Sequence, residues 1–256
     1  MPSSPRPAPR EVEVIASRLV TPNMVRITLG GHAMAGFPAG QEGGYVKLRL
    51  APAEGSDKPQ VRTYTIRAQR AGEIDVDFAL HGVASGNAGP ATRWAAGAKS
   101  GDRIELGGPG PAKPLPPGME RYLVFGDMTA LPAISVNLEQ LAPDANGTAV
   151  IEIPHEEDRQ TLTHPPGVEV QWLINPHHGH EETPLAQAAR AIPWPNRSVY
   201  AWSASEFVTM RAMREYLHGE RKLGPDNLYI SSYWEKGLIE DAHKLVKRED
   251  AETSGI

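Results

Sequence analysis

The chain has 256 residues, of which 40% are hydrophobic and 22% charged, with 25 Gly, 24 Pro and no Cys, a globular composition that excludes a collagenous, coiled-coil or disordered chain. Without cysteine there is no disulfide frame, thiolate-bound zinc, thiol nucleophile or Cys-held iron–sulfur cluster, so redox chemistry would need a bound organic cofactor. The net charge of −5 argues against a nucleic-acid partner, and no window approaches the about 18 uninterrupted apolar residues of a membrane span, so a cytoplasmic protein without membrane contact is expected.

Residues 1–10 hold no apolar stretch of signal-peptide type and read as a disordered tail. From 11 to 108 apolar residues alternate: Val12 and Val14; Val25, Ile27 and Leu29; Val46, Leu48 and Leu50; Ile74, Val76, Phe78 and Leu80. A period of two between Gly/Pro turns predicts strands of an antiparallel barrel or sandwich. Within it, the strand from Val61 to Arg67 puts Arg62 and Tyr64 on one face, about 6.6–6.8 Å apart. An arginine fork suits a phosphate and a tyrosine suits a flat ring; the same spacing also fits a surface arginine beside a half-buried tyrosine. Lys47 and Arg49 fall on the strand face opposite Val46 and Leu48, a placement that also suits plain solvation.

One helix, at about 90–98, interrupts the strands. Gly89 followed by Pro90 at the first helical position leaves amide N–H groups of the first turn open to an anion such as a pyrophosphate, whereas Trp94 reads as core filling. Residues 109–118 hold five prolines and read as a semi-rigid linker that continues neither strand nor helix.

From 119 to 249 the period changes. Strands are expected at 122–125, 149–153, 168–174, 198–202 and 228–232, and helices at about 129–141, 184–192, 205–222 and 236–248, leaving 250–256 as a tail. Alternating β and α units predict a doubly wound parallel sheet. The segment from Tyr122 to Pro132 is strand, turn and helix, where such a sheet receives a nucleotide, and Asp127 or Thr129 suits the N-cap. It lacks G-x-G-x-x-G, and residues 107–113 lack the phosphate-loop pattern. His155-Glu156-Glu157-Asp158-Arg159 is an acidic run that would repel a 2′-phosphate and favours NADH over NADPH. Three histidines within 177–180 sit in a Gly/Pro-marked loop with no carboxylate at ligand spacing, so no metal site is assigned. Ser203 and Glu206 fit a capping box ahead of a helix whose apolar stripe is Phe207, Met210, Met213 and Leu217.

Five segments in order resemble the siderophore-interacting proteins: Arg62-Thr63-Tyr64-Thr65, Asp77 to Gly82, Gly89 to Ala95, Gly126 to Ala133, and Tyr233 to Gly237. The resemblance spans about residues 11–248. It implies a ferredoxin-reductase-like fold, an FAD-binding β-barrel followed by an α/β NAD(P)H-binding domain, and an FAD-dependent ferric-siderophore reductase using NADH or NADPH. By the same resemblance Arg62, Thr63, Tyr64 and Thr65 would hold the flavin and its phosphate. His81, Gly82, Gly89, Pro90, Ala91 and Thr92 would line the rest of the FAD site. Asp127, Thr129 and Ala130 would form the floor where flavin meets nicotinamide, and Tyr233 and Trp234 would cover the flavin.

Lys47 matches the family's siderophore-associated lysine, with Arg49 and Lys236 as further cations for the chelate. The family's usual Gly-Tyr-Trp-Arg stands here as Ser232-Tyr233-Trp234-Glu235, and its Ala-Gly-Glu as Ala204-Ser205-Glu206. No side-chain nucleophile or general base is expected, since the flavin carries the chemistry. A monomer is expected, with a protein electron donor as a further partner. The rival readings are a general flavin reductase serving a protein partner and a siderophore-binding module without turnover.

Overall fold

The alternating segments build a closed antiparallel barrel. In the computed structural model, which describes residues 8–83, 86–177, 183–196 and 198–236, the barrel strands are β1 (Arg10–Thr21), β2 (Met24–Gly30), β3 (Tyr45–Pro52), β4 (Pro59–Arg70), β5 (Glu73–Ala79) and β6 (Arg103–Gly110). They close in the order β1-β2-β5-β4-β3-β6. Every second residue points inward, and Val14, Ile27, Leu29, Val46, Leu48, Ile66, Ile74, Val76, Phe78 and Leu106 are fully buried. The helix α1 (Pro90–Gly97) adds Ala91 and Ala95 to this core. Trp94 packs against it as expected, 5.6 Å from Phe78 between ring centres.

The proline segment is not wholly a linker, because β6 runs through Pro109 to Gly110. The β3–β6 register shifts between Tyr45 and Lys47, where Tyr45 pairs with Gly110 and Lys47 with Gly107. That irregularity accommodates a residue with no N–H to give. The chain divides into two units between Ala112 and Lys113.

In the second unit β7 (Arg121–Asp127), β8 (Asn146–Ile153), β9 (Gly167–Ile174), β10 (Val199–Glu206) and β11 (Leu228–Trp234) form a sheet ordered β11-β10-β7-β8-β9. All its pairs are parallel. Helices α3 (Pro184–Ala191) and α4 (Phe207–Arg214) bury Leu185, Ala189 and Met213 against Leu123, Phe125 and Ala201. Helix α2 (Leu131–Glu139) lies on the opposite face, where Ile134 approaches Gly126.

Two helix starts differ from expectation. Helix α2 begins after Ala130, which brings no capping side chain, because Asp127 spends its oxygens on the turn ahead of it. Helix α4 begins at Phe207 with Glu206 itself as N-cap; Ser203 lies inside β10, so no capping box forms. Nor does α4 run unbroken to Lys222: residues Glu215–Glu220 widen into a π turn that buries both Tyr216 and Leu217. All of the expected helix at 236–248 beyond Lys236, residues 178–180 of the histidine run and the 250–256 tail lie outside the described residues, as do the first seven residues of the 1–10 tail.

On the outer face of the barrel, β2, β4 and β5 share a row of charges. Arg26 forms a two-pronged pair with Asp77 at 2.6 and 2.7 Å. Arg70 does the same with Asp75 at 2.8 and 2.7 Å, and Thr28 adds a bond at 2.7 Å. Burial alone would raise Asp75, but the bonds from Arg70 and Thr28 and the charges of Arg70 and Arg26 outweigh it and hold the carboxyl below its usual range. Asp75→Asn therefore should lower barrel stability by about 1.5–3 kcal/mol at neutral pH, as read by urea unfolding. A depressed carboxyl contributes stability above its unfolded pKa and loses it as pH falls through the lower folded value, so the gap between wild type and variant should close in acid.

Candidate functional site

In the barrel, strand register sorts the candidate residues onto two faces. Leu48 pairs with Arg62 and Val46 with Tyr64, while Lys47 pairs with Thr63, Tyr45 with Thr65 and Arg49 with Val61. Directly opposed residues share a face, so Arg62 and Tyr64 stand together on the core side and Lys47, Arg49, Thr63 and Thr65 on the outer side. Tyr64 lies on Phe78 with ring centres 4.2 Å apart and planes tilted by 39°, continuing the row to Trp94. Arg62 Nη1 donates to the Val61 carbonyl at 2.8 Å. Of the outer cations, Lys47 Nζ sits 6.0 Å from the centre of the Tyr45 ring. Arg49 Nε is paired with Glu105 Oε2 at 2.9 Å, an attachment the alternation pattern had no means of signalling.

The glycines of the second motif have different tasks. Gly82 has φ +74° and its added Cβ would meet Asn87 backbone atoms at 2.9 Å, while its carbonyl accepts from Asn87 N–H at 2.9 Å; it closes the loop that leads to α1. At Gly89 a Cβ would meet nothing within 4 Å, and no side chain caps α1 there. Ala91 and Thr92 are buried, so what they present at the helix start is backbone N–H, with Pro90 fixing the first turn and His81 exposed nearby in sequence. Guanidinium, helix-start amides and a ring backed by a second ring form a donor set that suits a phosphate-bearing ligand with a flat aromatic part.

In the second unit the C-terminal ends of β7, β10 and β11 converge on Asp127, which is 4% exposed. Its Oδ1 accepts from Thr129 N–H at 2.9 Å and from Thr129 Oγ1–H at 2.5 Å. Its Oδ2 accepts from Glu206 N–H at 2.8 Å and from Trp234 Nε1–H at 2.9 Å. Ala130 N–H bonds the Asp127 carbonyl at 3.0 Å and closes the turn.

Glu206, 3% exposed, repeats the device on β10. Its Oε2 accepts from Val208 N–H at 2.6 Å and Thr209 N–H at 3.3 Å, and its Oε1 from Lys236 N–H at 3.3 Å. Behind this edge the Tyr233 hydroxyl is pushed well above its usual value, first by burial and then by Tyr229, to which it donates, and by Asp127. Burial also raises Tyr229. Both phenols are therefore neutral at ordinary pH.

The acidic run after β8 divides as well. Glu156 Oε1 holds Arg159 Nη2 at 2.8 Å, while Asp158 is fully buried at 0% exposure and does not face a ligand, which corrects its part in the expected repulsion of a 2′-phosphate. Among the described residues there is no grouping of three or more His, Asp or Glu that could hold a metal, and no helix long and apolar enough to cross a membrane.

With this geometry in hand, two family models match the chain: siderophore-interacting protein over residues 119–237 and siderophore-interacting FAD-binding domain over residues 49–113. The ferric vibriobactin reductase ViuB of Vibrio cholerae is 32% identical over 92% of each chain. The crystal structure of the siderophore-interacting protein SipS from Aeromonas hydrophila superposes with a TM-score of 0.83 at 34% identity, over 95% of this chain and 98% of that one. A ferredoxin-NADP+ reductase from Plasmodium falciparum, 13% identical, shares the fold with a TM-score of 0.63 over 88% of this chain and 96% of its own.

Gly126 has no side chain because α2 and β10 leave it no room: a Cβ there would meet Ile134 Cδ1 at 2.6 Å, the Ala204 carbonyl at 2.9 Å and Ala130 Cβ at 3.0 Å. Gly126→Ala is accordingly expected to destabilise the second unit by about 1–3 kcal/mol, read as a lowered urea midpoint.

Proposed function

The chain belongs to the siderophore-interacting protein family, and from that premise we propose that it is an FAD-dependent ferric-siderophore reductase drawing electrons from a nicotinamide nucleotide. The observation that carries this reading is the barrel's donor set: the Arg62 guanidinium, the uncapped start of α1 and the Tyr64 ring seated on Phe78. These residues fit FAD, which carries two phosphates and a flat tricyclic ring. Arg62 would bind a phosphate oxygen and the amides of Ala91 and Thr92 the rest of the pyrophosphate. Tyr64 would offer a ring face whose tilt is fixed from behind, whereas Thr63 and Thr65 stand on the opposite side of the same strand.

When bound, a flavin supplies the exchange between the hydride pair of a nicotinamide and the single electron that ferric iron accepts. A siderophore grips ferric iron through hard, mostly anionic oxygens, and that grip weakens in the ferrous state, so reduction frees the metal without breaking the ligand. Lys47, on the outer face, would draw those oxygens by charge. Arg49 contributes less than its formal charge, because Glu105 already answers it.

In the second unit the C-terminal edge of the sheet would receive the nicotinamide nucleotide, as open α/β sheets do. The exposed Glu156 beside an Arg159 it has already paired favours the donor without a 2′-phosphate, NADH. The site of action is the cytoplasm, with the chain as a monomer.

Purified protein should be yellow. Arg62→Ala should weaken FAD binding by about tenfold or more, the loss of a charge-assisted bond, measured by flavin fluorescence titration. Anaerobically reduced protein mixed with a ferric siderophore should reoxidise and release iron to a ferrous-specific dye. A protein that binds FAD but is not reoxidised by any ferric chelate would instead be a reductase for another acceptor, and a colourless protein that takes up chelate but no FAD a binding module.

A further inference from the structure

We propose that Asp127 is a positioning residue: its carboxylate contacts no ligand, and instead locks the Trp234 indole so that one fixed ring face is presented at the C-terminal edge of the parallel sheet. An ionised carboxylate has about four acceptor sites, and here four donors occupy them: Thr129 N–H, Thr129 Oγ1–H, Glu206 N–H and Trp234 Nε1–H. With the group 4% exposed, no capacity remains for a hydroxyl or amide of a bound nucleotide. To meet one, Asp127 would have to abandon a donor that has no water to turn to.

The indole has a single N–H, so the bond to Asp127, formed across 107 residues of sequence, decides how the ring is turned. The neighbouring residues are tied down independently. Lys236 N–H is held by Glu206 at 3.3 Å, the Trp234 carbonyl accepts from Ser232 Oγ–H at 3.1 Å, and the Tyr233 hydroxyl donates to Tyr229. A ring fixed in this way before any ligand arrives spares the ligand the cost of ordering it. The ligand class is a flat aromatic ring, and the proposal rests on the proposed function only in naming the nicotinamide nucleotide, received at this same edge, as the bearer of that ring.

The test combines Asp127→Asn, Trp234→Phe and the double variant. Asparagine keeps the size but turns an N–H₂ towards donors, and phenylalanine keeps a ring but removes the N–H. Each single variant should weaken NADH binding about fivefold, and the double variant should lose no more than the worse single, since the indole bond is already gone in either one. In protein free of flavin, the Trp234 indole N–H should exchange with deuterium at least about a hundredfold more slowly than a free indole, and Asp127→Asn should abolish that protection.

Additive losses, or unchanged affinity and unchanged indole protection in Asp127→Asn, would overturn the proposal. Should Asp127→Asn fail to fold, a wild-type indole N–H that exchanges freely would overturn it. A protected one, with weakened NADH binding in Trp234→Phe, would sustain it. Wild-type protein that protects the indole but binds no NADH would refute the nicotinamide reading and leave the lock standing.

Discussion

A buried carboxylate surrounded by donors constrains the second unit more than any other single contact. Asp127 is answered by amide, hydroxyl and indole hydrogens instead of by a cation, and these come from its own turn, from the end of β10 and from the end of β11. An anion stripped of water is tolerable only when hydrogen bonds replace its hydration, so the three strand ends are compelled to meet. Glu206 applies the same constraint one strand further out. The C-terminal edge of the sheet is in this way tied together across β7, β10 and β11.

The barrel meets its ligand through a different arrangement. Its interior row of rings, Tyr64, Phe78 and Trp94, connects the core to the candidate site, so that the same packing that closes the barrel orients Tyr64. Phe78 is fully buried and touches no ligand, yet it sets the plane of the ring that would. Lys47 and Arg49 lie on the other face of β3, away from this row.

Much of this was legible in the sequence. Period-two alternation located β1, β2, β3 and β5 because one face of each is buried, and the switch to alternating β and α units located the parallel sheet. What failed to show has physical reasons. The inward residues of β6 are chiefly Ile104 and Leu106, too few to set a period, and its proline end reads as a breaker unless the bulge opposite Tyr45 is known. Helix starts at Leu131 and Phe207 depend on which oxygen accepts which amide, and Asp127 and Glu206 resolve that through partners far away in the chain. The motif residues Asp127 and Trp234 stood out singly, but that they bind each other follows only from the order β11-β10-β7. Arg49 looked available on its strand because Glu105 faces it from β6, 56 residues later.

Closure of the first unit and openness of the second have unequal consequences for encounters between chains. A barrel in which β1 pairs with both β2 and β6 exposes no row of unpaired amides and carbonyls, and offers no template for a foreign strand. The five-stranded sheet has edges at β11 and β9, and the exposed residues of β9 include Glu169 and Gln171, bonded to each other at 2.9 Å. A carboxylate and an amide on that rim disfavour stacking by a second β9, so protection against fibril-like growth comes from topology in one half and from polar side chains in the other.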